Sequence, residues 1–234
     1  MGWFRKNARD YLGEGTLQSL QGKYVQAVEI LSKALELDAT LVVAYLHRGI
    51  AYLELGRLEE ALEDFETALR LDPQEPLGYY NRARVWWQRK DLERAEADLQ
   101  RTVSLDPTYT EGWGLLAVTR SQREDVDGAL AAVERAIALG HPDGYWLRAL
   151  ILESAGWLEG AVQAYEDCVR EEKGHMIDAR GRRGLVLSQL GRREEAQKEL
   201  EWVWKRRCKL ATESRRKVEK ALQALRDEKG EERP

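Results

Sequence analysis

The stretch VVAYLHRGIAYLELGRLEEALEDFETALRLDPQE, residues Val42 to Glu75, decides the fold of this 234-residue chain. Apolar residues recur in it at intervals of three and four, which is typical of amphipathic helices. Gly56 interrupts that pattern near the middle, and glycine readily adopts the positive φ that ends a helix and turns the chain. Pro73 bars helical geometry at the residue before it. The stretch therefore predicts two short helices joined by a tight turn.

The same pattern returns about every 34 residues along the chain. Small residues stand at Gly49 and Ala61, where two helices must cross closely, and large rings at Tyr45, Tyr52 and Phe65 fill the space around that crossing. One such hairpin cannot bury both of its faces, so stacked copies must share a continuous core. We expect six copies, at about residues 8–41, 42–75, 76–109, 110–141, 142–176 and 177–208.

This period and its spaced small and aromatic positions resemble the tetratricopeptide repeat over about residues 8 to 208, most closely in the second and third copies. The resemblance implies an all-α fold, a right-handed α-solenoid of about six helix-turn-helix repeats with a concave inner surface. It also implies the usual task of that family, which is to bind other proteins.

Different segments flank the predicted repeats at the two ends. Residues 1–7 form a short flank before the first repeat. After the last repeat an apolar stripe runs among charged residues, so we expect a capping helix over residues 209–226. The stripe consists of Leu210, Val218, Ala221, Leu222 and Leu225. A cap with a polar outer face keeps the open end of a repeat stack in solution. The charged tail, residues 227–234, is expected to fray.

The composition is that of a soluble globular protein, with 43% hydrophobic residues, 33% charged residues and a formal net charge of −4. No apolar run approaches the length that spans a bilayer, and the N-terminal sequence lacks the apolar core of a secretory signal. The two cysteines, Cys168 and Cys208, are too few for a disulfide framework. We therefore expect a cytoplasmic protein.

By the resemblance, part of each first helix faces an inner groove that takes an extended peptide or a helix of a partner protein. Tyr, Trp and Arg are the commonest energetic anchors in such interfaces. The alternative is that these residues only pack neighbouring helices together. For Leu46, Ile50 and Leu150 this interpretation is supported as well as the groove. For Tyr80 and Trp87 we favour the groove, because Trp86 beside Trp87 already fills the core position. The predicted groove residues are Leu46, His47, Ile50, Tyr80, Asn81, Arg84, Trp87, Trp146 and Leu150.

One well-known member type of the family grips the C-terminal carboxylate of a chaperone with Lys, Asn and Arg on successive first helices. The corresponding positions here hold Leu46, Ile50, Asn81, Glu111 and Leu115, and only Asn81 fits. Starting one repeat earlier gives no better match. We therefore predict that the groove has no carboxylate clamp of this type.

The C-terminal part of the chain is basic, since residues 205–234 carry 11 basic and 6 acidic side chains. These charges suit RNA phosphates or an anionic membrane surface. The interpretation that we favour is a solvated cap helix whose charges keep the end of the stack in solution, so neither nucleic acid nor membrane is the expected partner. The candidate basic patch consists of Arg206, Arg207, Lys209, Arg215 and Arg216.

Besides the groove residues Trp87 and Trp146, three tryptophans lie outside the core positions of the repeat. Trp202 either packs under the cap helix, which we favour, or forms an exposed contact. Trp3 either touches a partner or folds back over the first helix, and Trp157 occupies a turn position suited to a surface contact. Self-association through the end repeats, with Trp202 or Trp3 buried between copies, is a third interpretation.

No pattern in the sequence points to catalysis. His47, His141 and His175 lie in different repeats, and none has a second ligand at metal-binding spacing. Cys168 takes a small-residue core position, which indicates an inert buried thiol. No glycine-rich loop of the phosphate-binding kind occurs. We therefore predict a non-enzymatic scaffold or adaptor for a protein or peptide partner, with no cofactor and no metal.

Overall fold

The computed structural model describes residues 6–171, 174–209 and 211–227 of the chain. Within these ranges the chain has thirteen α-helices, one short 3-10 helix and no β-strand. Two helices fall in each of the six predicted repeats. In chain order the α-helices are α1 (Ala8–Leu20), α2 (Tyr24–Leu37), α3 (Val42–Glu54), α4 (Leu58–Leu71), α5 (Pro76–Gln88), α6 (Leu92–Leu105), α7 (Thr110–Gln122), α8 (Val126–Ala138), α9 (Gly144–Ser154), α10 (Leu158–Glu171), α11 (Met176–Gln189), α12 (Arg193–Trp204) and α13 (Thr212–Asp227).

The helices pack as consecutive pairs. α1 packs on α2, α3 on α4, α5 on α6, α9 on α10 and α11 on α12. Only three residues separate the two helices of each of these pairs, so the chain reverses direction between them. These pairs are the helix-turn-helix repeats that the sequence predicts, and the predicted all-α repeat solenoid is confirmed.

The turn inside each hairpin contains one residue with a positive φ. Glycine holds this position in four hairpins, among them Gly56, whose φ is 74° as the sequence predicts. In the third and fourth hairpins the position is held by Lys90 and Glu124, with φ of 63° and 65°. A residue with a Cβ atom is strained in this region of φ, so these two turns are less stable than their glycine counterparts.

Gly49 shows why the helices of a hairpin need small residues where they cross. A Cβ atom added there would lie 2.6 Å from a ring carbon of Phe65, and the Phe65 side chain is fully buried. In the last hairpin, a Cβ atom at Gly184 would lie 2.8 Å from side-chain carbons of Leu200. Both hairpins therefore cross as closely as their glycines allow.

The chain divides into two compact units, Met1–Gly112 and Trp113–Pro234, which we name unit 1 and unit 2. In unit 1, residues of α3, α4 and α5, including Phe65 and Trp86, form a shared hydrophobic core. In unit 2, residues of α9 to α13 form another, with Tyr165 at its centre. The prediction of one repeat domain over residues 8–208 stays a prediction.

Helix α13 closes the C-terminal end of unit 2. It packs on α11 and α12, and it buries Val218, Leu222 and Leu225, three residues of the apolar stripe that predicted a capping helix. The helix begins at Thr212 rather than at residue 209, because residues Arg207–Lys209 form a separate 3-10 turn.

Two of the predictions lie outside the described residues. They concern Trp3, within the flank 1–7, and the tail after Asp227. Across the ranges that the structure does describe, no helix combines the length and the apolar character needed to cross a membrane.

Candidate functional site

The first helices of unit 1 carry most of the predicted groove residues, and two of these residues are buried. Leu46 is 2% exposed and lies in the core with Phe65 and Trp86. Asn81 is also 2% exposed: its side-chain nitrogen donates to the Leu77 carbonyl at 2.9 Å, and its side-chain oxygen accepts from Arg84 at 2.9 Å. Such burial leaves no side-chain surface for a partner, so we leave Leu46 and Asn81 out of the proposed site.

Tyr80 and Arg84 are half-buried and are engaged by neighbours within unit 1. The rings of Tyr80 and Tyr109 lie with their centroids 5.1 Å apart, and burial raises the pKa of both hydroxyls. The Arg84 guanidinium donates to the Glu54 carboxylate at 2.6 Å. The predicted anchors Tyr80 and Arg84 thus already contact other side chains of unit 1.

The other three predicted residues of unit 1 are half-buried as well. Ile50 and Trp87 pack against the core of unit 1, and the Lys90 ammonium lies 4.7 Å from the centre of the Trp87 ring. Burial lowers the pKa of His47, which favours the neutral imidazole. The first-helix face of unit 1 is thus filled largely by its own side chains.

Unit 2 differs, because its first helices border open space. A cavity of about 370 Å³ lies between α7, α9 and α11. Leu150, predicted from the sequence, forms part of its apolar wall, and small polar residues of α7 and α9 form its edge. The residues that define this cavity include Val118, Ser121, Leu150, Glu153, Ser154 and Arg182.

A second cavity of about 360 Å³ lies between α9, α11 and the capping helix α13. Trp146, the other predicted residue of unit 2, contributes to its wall. Glu153 and Arg182 border both cavities, so the two adjoin. We name the two cavities together the unit 2 groove.

A network around Glu153 fixes the middle of the unit 2 groove. One guanidinium nitrogen of Arg182 lies 3.1 Å from each carboxylate oxygen of Glu153. The Tyr165 hydroxyl donates to the same carboxylate. Burial of Tyr165, together with its bond to Glu153, raises the pKa of the phenol, so it stays a proton donor at neutral pH. These contacts orient the Glu153 and Arg182 side chains at the boundary of the two cavities, and preorganised side chains lower the entropic cost of binding.

The Trp146 ring is also held in place by its neighbours. It stacks on His175, with centroids 4.9 Å apart and planes 9° apart, and it packs at an angle against Tyr165. His175 is in turn 2.8 Å from the Asp143 carboxylate. Trp146 is thus a fixed wall of the groove.

The sequence analysis did not assign Gly181, which gives the second cavity its space. Gly181 occupies the position of the repeat that holds Tyr80 in unit 1 and Trp146 one repeat earlier. A Cβ atom there would come no closer than 3.8 Å to Val203 and 4.0 Å to Val218. The helix crossing therefore does not require this glycine. A glycine in a position that elsewhere holds an aromatic ring was the signal that could have revealed a cavity.

The basic C-terminal residues are partly used to cap a helix. Arg206 donates to the Trp202 carbonyl at 3.1 Å, and Arg207 donates to the Trp204 carbonyl at 3.2 Å, both in the last turn of α12. Cations are favourable at a helix C-terminus. Arg215 is half-buried and Arg216 is exposed. Lys209 lies in the 3-10 turn after α12.

Trp202 and Trp157, which were not assigned to the predicted groove, have different environments. Trp202 is half-buried, with the Arg206 guanidinium 3.8 Å and the Arg180 guanidinium 4.2 Å from its ring centre. Its surface is thus largely covered by arginines of its own unit. Trp157 is 48% exposed in the turn between α9 and α10.

Where the structure describes them, the titratable side chains do not meet the requirements of a metal site. Within residues 6–171, 174–209 and 211–227, no three His, Cys, Asp or Glu side chains are grouped so that they could hold a metal ion. His141 accepts a hydrogen bond from the Asp143 backbone at 3.1 Å, and Cys168 is fully buried.

The repeated hairpins and their glycine crossings define a helical repeat protein. The family model of the tetratricopeptide repeat matches residues 46–110 and 115–173, which together make up more than half of the chain. The chain belongs to the tetratricopeptide repeat family. No curated protein matches the sequence.

Solved structures of tetratricopeptide repeat proteins share the fold. The crystal structure of MamA is 22% identical, with a TM-score of 0.60 over 67% of this chain and 92% of that one. YrrB, described as a protein of this type with an unusual peptide-binding site, is 24% identical, with a TM-score of 0.61 over 73% of this chain and 89% of that one. TTC0263, a thermophilic protein of this type from Thermus thermophilus, is 22% identical, with a TM-score of 0.60 over 77% and 98%. Identities this low show the fold alone.

Proposed function

We propose that this chain is a non-enzymatic scaffold or adaptor that binds a segment of a partner protein in the unit 2 groove. The observation that carries the proposal is the pair of adjoining cavities along α7, α9, α11 and α13. Family membership supports a role in protein interaction. The peptide-binding site named for YrrB supports a peptide as the class of ligand.

The first cavity suits an extended peptide. Leu150 and Val118 offer apolar surface for alternate side chains of a peptide. The hydroxyls of Ser121 and Ser154 lie 3.4 Å apart, and Ser154 donates to a carbonyl of its own helix. Hydroxyls at the edge of the cavity can also exchange hydrogen bonds with a peptide backbone. An apolar wall with a few placed polar groups is the usual composition of a binding cleft.

The half-buried residues of unit 1 are a second, smaller surface in this proposal. Ile50, Arg84 and Trp87 are half-buried, and so are Tyr80 and His47 on the same first helices. Their own contacts within unit 1 must be kept or replaced when a partner binds, so we assign them a secondary role.

The remaining features of the proposal come from the sequence. A cytoplasmic location, the lack of a chaperone-type carboxylate clamp, and a partner other than nucleic acid or membrane stay predictions, as does self-association. Use of Arg206 and Arg207 to cap α12 favours the solvated cap helix over an RNA-binding or membrane-binding patch.

The test is capture of a partner from native lysate by the immobilised full chain. Leu150→Arg places a long charged side chain in the first cavity, and Ser121→Arg does so without removing apolar packing. Gln163→Arg, on the exposed side of α10, is the matched control. We expect both groove variants to lose capture while the control keeps it, with unchanged helical circular dichroism in all three. Capture that survives both groove variants would overturn the assignment.

A further inference from the structure

We propose that the second cavity of the unit 2 groove, between α9, α11 and α13, accepts an arginine or lysine side chain of the bound segment. This inference rests on the proposed function and adds the chemistry of the partner. It assigns a role to the capping helix, which forms one wall of the cavity, and to Asp178, near the start of α11.

The shape of the cavity suits a long side chain with an aliphatic stem. One apolar side chain from each of the three helices lines the volume of about 360 Å³, namely Trp146 of α9, Leu185 of α11 and Val218 of α13, and most of the remaining lining is polar. Gly181 adds no side chain to the floor. The methylene groups of a lysine or arginine can lie against such walls while the charged end reaches a polar group.

The charges around the cavity favour a cation over an anion. Arg182 is paired with Glu153 at 3.1 Å, and Lys217 is paired with Glu213 at 2.7 Å. Within the described ranges, the Asp178 carboxylate has no hydrogen-bond or ion-pair partner. Among the four charged residues that the structure describes at the cavity, the one that its neighbours leave unpaired is therefore negative.

Other occupants fit these charges less well. An acidic side chain would meet the carboxylates of Asp178 and Glu153, and it would have to draw Arg182 away from Glu153 to find a partner. A purely apolar side chain would exclude water from Asp178 without offering it a hydrogen bond, which is unfavourable. A guanidinium or an ammonium satisfies Asp178 and leaves both existing ion pairs intact.

The experiment probes the purified full chain with an array of random dodecapeptides. Asp178→Asn removes the charge and keeps the shape, and Gly181→Leu fills the cavity. Gln163→Arg again serves as the control, and thermal melting followed by circular dichroism confirms that each variant is folded. The bound sequences should be enriched in arginine or lysine. Affinity for those peptides should fall about tenfold in Asp178→Asn, and at least as much in Gly181→Leu.

Two outcomes would overturn the inference, and they can be told apart. Peptides that bind the wild-type chain without basic enrichment, or basic peptides whose affinity is the same in both cavity variants, remove the assigned chemistry and leave the proposed function standing. No binding of any peptide to the wild-type chain counts against the proposed function as well.

Discussion

The first-helix faces of unit 1 and unit 2 are built from the same repeat but differ in what fills them. Both hold an arginine–glutamate pair that links neighbouring repeats, Arg84–Glu54 in unit 1 and Arg182–Glu153 in unit 2. In unit 1, however, large side chains such as Trp87 pack on the core below them. In unit 2, small residues leave two cavities. The difference teaches that an aromatic-rich first-helix face can be filled by its own packing, whereas small residues leave open space.

The largest expected effect is the difference in stability between Trp87→Ala and Leu150→Ala. The sequence predicts that both residues line a groove. Trp87→Ala removes a ring that packs on the core of unit 1, so we expect a loss of about 3 kcal/mol in the free energy of unfolding. Leu150→Ala borders a cavity and should cost about 1 kcal/mol. Urea denaturation measures both values. Equal costs would show that the two faces are filled to the same degree.

The next largest effect is the change in stability when alanine replaces Gly49 in unit 1 or Gly181 in unit 2. Gly49→Ala forces a Cβ atom against Phe65, where only 2.6 Å is available, and should destabilise the protein by about 2 kcal/mol. Gly181→Ala meets nothing closer than 3.8 Å and should stabilise it by up to about 1 kcal/mol, because alanine favours the helix. Thermal melting of the two variants checks the signs. Destabilisation by Gly181→Ala would mean that the second cavity is not open.

The smallest effect concerns a feature that the two units share. Lys90→Gly in unit 1 and Glu124→Gly in unit 2 each relieve a positive φ in an equivalent turn, and each should stabilise the protein by about 0.5 to 1 kcal/mol. Gly56→Ala is the reverse change and should destabilise by about 1 kcal/mol. The measurement is the midpoint of chemical denaturation. A lowered midpoint in either glycine variant would show that its side chain contributes more than its backbone strain removes.

The sequence predicts the fold well because repetition supplies its own internal check. Gly56 dictates a turn through its backbone, and Gly49 dictates a close helix crossing through packing. Both positions recur in other repeats. The apolar stripe that includes Val218 predicts the capping helix through its helical spacing. The start of α13 was misplaced because residues 207–209 form a separate turn, which helical periodicity alone does not reveal.

The site was harder to predict because it depends on which side chains satisfy one another. Sequence position places Leu46 and Asn81 on the inner side of the first helices, yet both are buried. Whether Arg182 is paired and Asp178 is not depends on neighbours from other repeats. The sequence predicts Trp146 and Leu150 as groove residues, and each borders a cavity. The space beside Trp146 depends on Gly181, a residue with no side chain to signal it.

Amide hydrogen exchange of the full chain, with and without the tightest-binding dodecapeptide from the array, tests the central claim most directly. The account predicts that the bound peptide slows exchange in α9 and α11 of unit 2, and leaves exchange in α3 and α5 of unit 1 unchanged. It further predicts that Leu150→Arg removes this protection. Protection confined to α3 and α5, or protection that persists in Leu150→Arg, would contradict the assignment of the binding site to the unit 2 groove.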